Sequence, residues 1–146
     1  SPTPSQASAA SDVYKRQAIT APDPEAAATF YEKTFEMERV WSREIGVMLS
    51  DGTVSLAILR FPTDKMAGDE RGKDFFGLHH LGFVVDDIEG SDAAVKAHGG
   101  AYHMRLPHPE GANPDHTEHK YRDPDGVVFD IVNRGYAEDS WGAKAD

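Results

Sequence analysis

The chain has 146 residues, 39% apolar and 27% charged, with no cysteine and a formal net charge of −10. One domain with a real core fits that length, whereas a disulfide scaffold and any thiolate metal site are excluded, leaving histidine and carboxylate as the strong metal ligands. The acidic balance, without a basic stripe, argues against nucleic acid as a partner, and no apolar run nears the ~18 residues of a membrane helix or forms a signal-peptide core, which predicts a cytoplasmic protein that engages no membrane.

Residues 1–11 are Ser, Ala, Pro, Thr and Gln, with nothing to bury, and are expected to be disordered. Asp12-Val13-Tyr14-Lys15-Arg16-Gln17 resembles one reading frame of a transposon end used in preparing sequencing libraries. Residues 1–17 are therefore read as a disordered or artefactual arm and set aside from functional reasoning. Ala18 to Thr20 reads as the end of a strand. Asp23-Pro24 supplies an N-cap and a proline at the first helical position, and Ala27, Phe30, Tyr31, Thr34 and Phe35 recur with helical spacing, predicting an amphipathic helix from Pro24 to about Glu36. Strands follow over 37–44, 46–49 and 53–61, the last two joined by the Asp51-Gly52 turn, and then a charged, glycine-containing linker over 62–78.

The stretch from His79 to Asp87 organises the second half. With a period of two, Leu81, Phe83 and Val85 share a face fit to pack on a helix, while His80, Gly82 and Val84 share the other, so His80 is expected to point away from the core. By the same alternation only one of His79 and His80 can look into a cavity. Asp86-Asp87 ends the strand and caps a helix from Ile88 to His98, stopped by Gly99-Gly100. A strand over 101–105, a polar loop over 106–117 carrying His108 and His116, and a hairpin of 118–122 with 127–132 about Asp123-Pro124-Asp125-Gly126 complete the order. The halves are thus two βαβββ repeats, and the fold class is α+β. Aligning Asp23 with Asp87 offsets them by 64 residues and aligning Gly52 with Gly126 by 74, the extra ten falling in the loop over 106–117, which is expected to form a lid.

Three segments carry a family likeness: Ala21-Pro22-Asp23-Pro24-Glu25-Ala26-Ala27 with Phe30-Tyr31, His79-His80-Leu81-Gly82-Phe83 with Asp86-Asp87, and Tyr121-Arg122-Asp123-Pro124-Asp125-Gly126. Together they resemble the vicinal oxygen chelate superfamily, which includes glyoxalase I, bleomycin resistance proteins, methylmalonyl-CoA epimerase and extradiol dioxygenases. The likeness covers 18–133 as one domain, with module one at 18–61, the linker at 62–78 and module two at 79–133, followed by a C-terminal tail, 134–146. It implies paired modules forming a glyoxalase-like cupped mixed sheet around a cleft, a small-molecule substrate with adjacent oxygens, a possible homodimer, and a divalent metal (Fe, Mn, Ni or Zn). Carried over position by position, His80 and Asp130 match metal ligands, while the corresponding first-module positions are Arg16 and Leu56, neither of which binds metal. With histidine at position 16 the set would be two histidines and one carboxylate, which resembles an extradiol dioxygenase. A glyoxalase-type lyase and a metal-free drug-sequestering binder are the alternatives.

Glu118 and Lys120 are the expected catalytic or anchoring residues. Simple counting back from the turn puts His119 opposite Asp130, and a one-residue bulge puts Glu118 and Lys120 there; the second arrangement is preferred. Lys120 could hold a substrate oxyanion or replace a metal's charge. His79 is expected to pack, His98 to end a helix, and His103, His108, His116 and His119 lack the spacing of a helical metal site. Tyr31, Trp41 and Tyr102 read as core or interface.

Overall fold

The computed structural model describes residues 15–68, 71–106 and 110–142, so residues 1–14 of the arm and His108 of the polar loop lie outside the described part. The chain forms β1 (Lys15–Thr20), α1 (Pro24–Phe35), β2 (Glu38–Arg43), β3 (Gly46–Ser50), β4 (Val54–Leu59), α2 (Asp64–Ala67), β5 (Gly77–Val85), α3 (Ile88–Ala97), β6 (Ala101–Arg105), β7 (Glu118–Arg122), β8 (Val128–Asn133) and α4 (Arg134–Ser140). Lys15, Arg16 and Gln17, set aside with the arm on sequence, are strand residues paired with both β4 and β5, so Arg16 re-enters the functional reading. The two long helices begin as their sequences dictate: Asp23 accepts from the Ala26 amide at 3.1 Å and Asp87 from the Gly90 amide at 3.0 Å.

All strands join one sheet in the order β2-β3-β4-β1-β5-β8-β7-β6. Within each module the first and last strands are parallel, and the modules meet where β1 runs antiparallel to β5. The register makes the repeat explicit. Arg16 pairs with Gly82 and Ala18 with His80, so Arg16 and His80 occupy equivalent places about the seam. Ala18 pairs with Ala57 and Gly82 with Asp130, so Asp130 corresponds to Ala57. This corrects the assignment of Leu56: it lies on the opposite, convex face, where it packs with Val47, Leu49 and Ile58 beneath Ala28 of α1. The sequence alignment missed by one residue, and with a period of two that is enough to change faces.

The concave face departs from expectation in a larger way. Leu81 is 44% exposed, whereas His80, Gly82 and Val84 are buried. The cause is the C-terminal segment. Asn133 ends β8 and caps α4, accepting from the Tyr136 amide at 3.1 Å. The helix then turns Ala137 and Trp141, both 0% exposed, into a cluster with Ala18, Met48, Ala57, Leu59, Val84 and Val132. A hollow sheet with that many apolar side chains facing inward must be covered, and the chain covers it with itself. Among the described residues no helix is long and apolar enough to cross a membrane.

Candidate functional site

Four strands at the seam and its flank deliver one side chain or two each to a single point. Arg16 comes from β1, His80 from β5, Glu118 and Lys120 from β7 and Asp130 from β8. The Arg16 Nη2 lies 2.7 Å from His80 Nε2 and 3.3 Å from Glu118 Oε1, and also contacts Asp130 Oδ2. His80 Nε2 is 3.0 Å from Asp130 Oδ2, and Lys120 Nζ donates to Asp130 Oδ1 at 3.0 Å. Tyr136 of α4 reaches the same group through a hydrogen bond with Glu118. Arg16, His80, Glu118 and Asp130 are all buried, Asp130 completely.

The hairpin explains why Glu118 and Lys120 are present. Lys120 pairs with Asp130 and Glu118 with Val132, because five residues, Asp123 to Val127, separate the strands instead of four. Asp123 holds that loop by accepting from the amides of Asp125 and Val127 at 2.8 and 2.9 Å. His119 and Tyr121 therefore face the convex side, where Tyr121 stacks on Phe129.

Strict alternation fails at His79. The β1–β5 register slips between Ala18, opposite His80, and Ile19, opposite Leu78, leaving His79 as an extra residue. Such a bulge turns two successive side chains to one side. Both imidazoles are buried, with Nδ1 atoms 2.9 Å apart, and His79 also meets the Phe61 ring at 5.2 Å between centroids. Phe61 in turn lines an open cleft of about 720 Å³ together with Pro22, Ile45, Arg60, Pro62 and Met66.

The electrostatics divide the two acids. Burial opposes ionisation of Asp130, but Arg16, His80 and Lys120 outweigh it and hold the carboxyl well below the usual range. Glu118 is pushed up to about 7, first by burial and then by the Asp130 charge, against the pull of Arg16. Burial lowers His80, and burial together with His80 lowers His79 to about 4, so both rings are neutral at pH 7. Arg16 is held in its charged form because Glu118 and Asp130 more than compensate its desolvation.

A divalent metal does not fit these residues as they stand. The donors that would bind it, His80 Nε2, Glu118 Oε1 and Asp130 Oδ2, converge on the Arg16 guanidinium, which already supplies a positive charge there. Among the described residues no group of three or more His, Asp or Glu is arranged to hold an ion.

The polar loop behaves differently from a lone lid. His116 Nδ1 contacts Asp139 of α4, and Asn133 Nδ2 donates to the Asp115 carbonyl at 2.5 Å, so loop and tail are clasped together. His98 caps its own helix, its ring 2.8 Å from the Ala94 carbonyl. Tyr136 and Trp141 are site residues that sequence reasoning does not single out. The available signal is Asn133 as a cap followed by Ala137 and Trp141 four residues apart, a short apolar stripe after the last strand.

The fold accords with the comparisons to known proteins. The family model described as the Glyoxalase/Bleomycin resistance protein/Dioxygenase superfamily matches residues 14–131. Similar solved structures include a hypothetical protein, BH1468, from Bacillus halodurans C-125, with 17% identity over 82% of this chain and 91% of that one at a TM-score of 0.62. A methylmalonyl-CoA epimerase from Mycobacterium tuberculosis is 16% identical over 81% and 85% of the two chains, with a TM-score of 0.59. The Streptomyces coelicolor methylmalonyl-CoA epimerase, solved as a single-residue variant in complex with 2-nitronate-propionyl-CoA, is 23% identical over 81% and 91%, with a TM-score of 0.58. A sequence comparison with curated proteins finds no match. A paired-module sheet whose family pattern runs from the first strand into the last leaves one conclusion: the chain belongs to the glyoxalase/bleomycin resistance protein/dioxygenase superfamily.

Proposed function

We propose that the concave basin transfers a proton on a small substrate that carries a carbonyl and a neighbouring oxygen. The observation behind this reading is the convergence of Glu118, His80 and Asp130 on the guanidinium of Arg16. Glu118 is the acid–base group: a carboxyl poised near neutral pH can both accept and return a proton. Taking a proton from the carbon beside a carbonyl drives the electron pair onto the carbonyl oxygen. Arg16, kept cationic, and Lys120 then hold that oxyanion in a dry site, where a fixed charge acts most strongly. His80 and Asp130 orient the guanidinium. The solved epimerase relatives, one of them in complex with methylmalonyl-CoA, act on a substrate of this kind and support the choice.

The dioxygenase reading rests on Leu56 removing one carboxylate. Leu56 faces outward, and Glu118 puts a second carboxylate inside, so one histidine and two carboxylates meet at the basin. That set suits proton transfer better than oxygen activation. In D2O the protein is expected to exchange the hydrogen at carbon 2 of methylmalonyl-CoA, read by mass spectrometry, with a rate that rises with pH through about 7 as Glu118 loses its proton. Glu118→Gln should slow exchange by about 10²-fold or more. No exchange by the unmodified protein on methylmalonyl-CoA or on simple 2-keto acids at any pH from 5 to 9 would overturn the proposal.

Replacing Arg16 tests the metal-dependent reading, because His80, Glu118 and Asp130 converge on its guanidinium. Arg16→His removes the resident cation and sets a second imidazole at the place equivalent to His80. This variant is expected to bind Fe(II) or Mn(II) stoichiometrically by elemental analysis and to melt at a higher temperature when loaded. A variant that takes up no metal removes both the dioxygenase and the metal-dependent lyase readings.

A further inference from the structure

The C-terminal segment occupies the very space the proposed chemistry needs. Trp141 lies on the concave face with the Arg16 guanidinium 4.6 Å from its ring centroid. The strands beneath are cut low there. Ala18 and Ala57 pair side by side, and Gly82 lies so near the indole that a Cβ at that position would be 2.5 Å from its Cη2. These small residues form a flat shelf that fits a planar ring. Among the described residues the Nε of Arg16, buried against the indole, has no hydrogen-bond partner, and neither has the Nε1 of the indole itself. An unmet buried donor is costly, so a ring of the same shape that brought acceptors would be the better occupant.

The attachment of the segment combines the buried packing of Ala137 and Trp141 with a set of polar contacts to the strands. Trp41 Nε1 donates to the Ser140 carbonyl at 2.9 Å, Ser55 Oγ to the Trp141 carbonyl, and Tyr136 bonds with Glu118. The His116–Asp139 contact clasps it at the rim. The segment also lies beyond the family pattern, which ends at residue 131.

We propose that residues 133–142 are a reversible stopper, and that Trp141 holds the place of a flat, conjugated oxyanion that lies on the Ala18–Ala57–Gly82 shelf against Arg16. The ligand class rests on the proton-transfer reading, whose enolate intermediate is itself flat, conjugated and anionic; the opening of the segment does not. Entry requires α4 to swing away on its Asn133 hinge, which exposes Glu118 and Arg16 together because Tyr136 leaves with Trp141.

Hydrogen exchange of the intact protein, followed by mass spectrometry, tests the opening. Amides of 134–142 are expected to exchange at least 100-fold faster than those of β5 and β8. Exchange of tail and strands at one common rate would show the segment to be inseparable from the core and overturn the proposal. Indole-3-carboxylate serves as the probe for the vacated shelf. By calorimetry it should bind Trp141→Ala at least tenfold more tightly than the unmodified protein, and Gly82→Val, which evicts the tail but fills the shelf, should not bind it. Failure of Trp141→Ala to bind the probe would overturn the ligand assignment. Fast tail exchange without any proton transfer on thioesters or keto acids would leave the stopper standing and remove the reaction, so the two failures are distinguishable.

Discussion

Asp130→Ala is expected to destabilise the protein by about 3–5 kcal/mol, the largest loss of any single substitution considered, because it strips a buried cationic pair of its counter-charge. Asp130 is 0% exposed and touches Arg16, His80 and Lys120 at once. Without it the Arg16 guanidinium keeps only Glu118, which must then ionise to compensate. Its pKa should fall, since the Asp130 charge is one of the two influences that raise it. Urea unfolding checks this: with a slope of about 1–3 kcal/mol per molar, the midpoint should drop by about 1–5 M. A loss under about 1 kcal/mol would mean that water already reaches these charges.

The two acids should also separate by pH. Glu118 has a folded pKa above its unfolded value, so its contribution is whole below about 4.5 and is lost as the pH rises through about 7. Asp130 runs the other way: its contribution is present above its unfolded value of 3.8 and disappears only as the pH falls far below it. Glu118→Gln, which never ionises, should therefore gain on the unmodified protein between pH 4.5 and 7, by up to about 3 kcal/mol.

Trp141→Ala should detach the tail while leaving the sheet folded, at a cost of about 3 kcal/mol. Excising a fully buried tryptophan from a core that cannot relax costs about 3–5 kcal/mol. Here a second outcome is open: once the truncated tail packs worse than it solvates, it leaves, and the loss stops growing at the free energy of opening. The chain has two tryptophans, so the variant keeps only Trp41, whose indole N–H is bonded to the Ser140 carbonyl. Its emission should shift to the red as that bond goes, with far-ultraviolet circular dichroism almost unchanged. Loss of the sheet signal together with the fluorescence change would identify Trp141 as a cooperative part of the core.

The repeated modules could be read from the chain alone, since their signals are local. Asp23 and Asp87 as caps, Pro24 at a first helical turn, and alternation along 80–85 all act within a few residues, where the backbone and the nearest side chains settle the geometry. The meeting of His80 with Asp130 was implied by the family resemblance. What the tertiary structure decided were matters of register and of filling. A bulge at His79 put two imidazoles on one side, and a five-residue loop after Arg122 placed Glu118 and Lys120 beside Asp130. A shift of one residue put Leu56 outside and Ala57 within. In a strand each such step reverses a face, and no local preference records it. The occupant of the cup was hidden for a different reason: Trp141 is joined to Arg16 and Gly82 only by the closure of the whole sheet, and burial against distant strands leaves no periodic trace in its own neighbourhood.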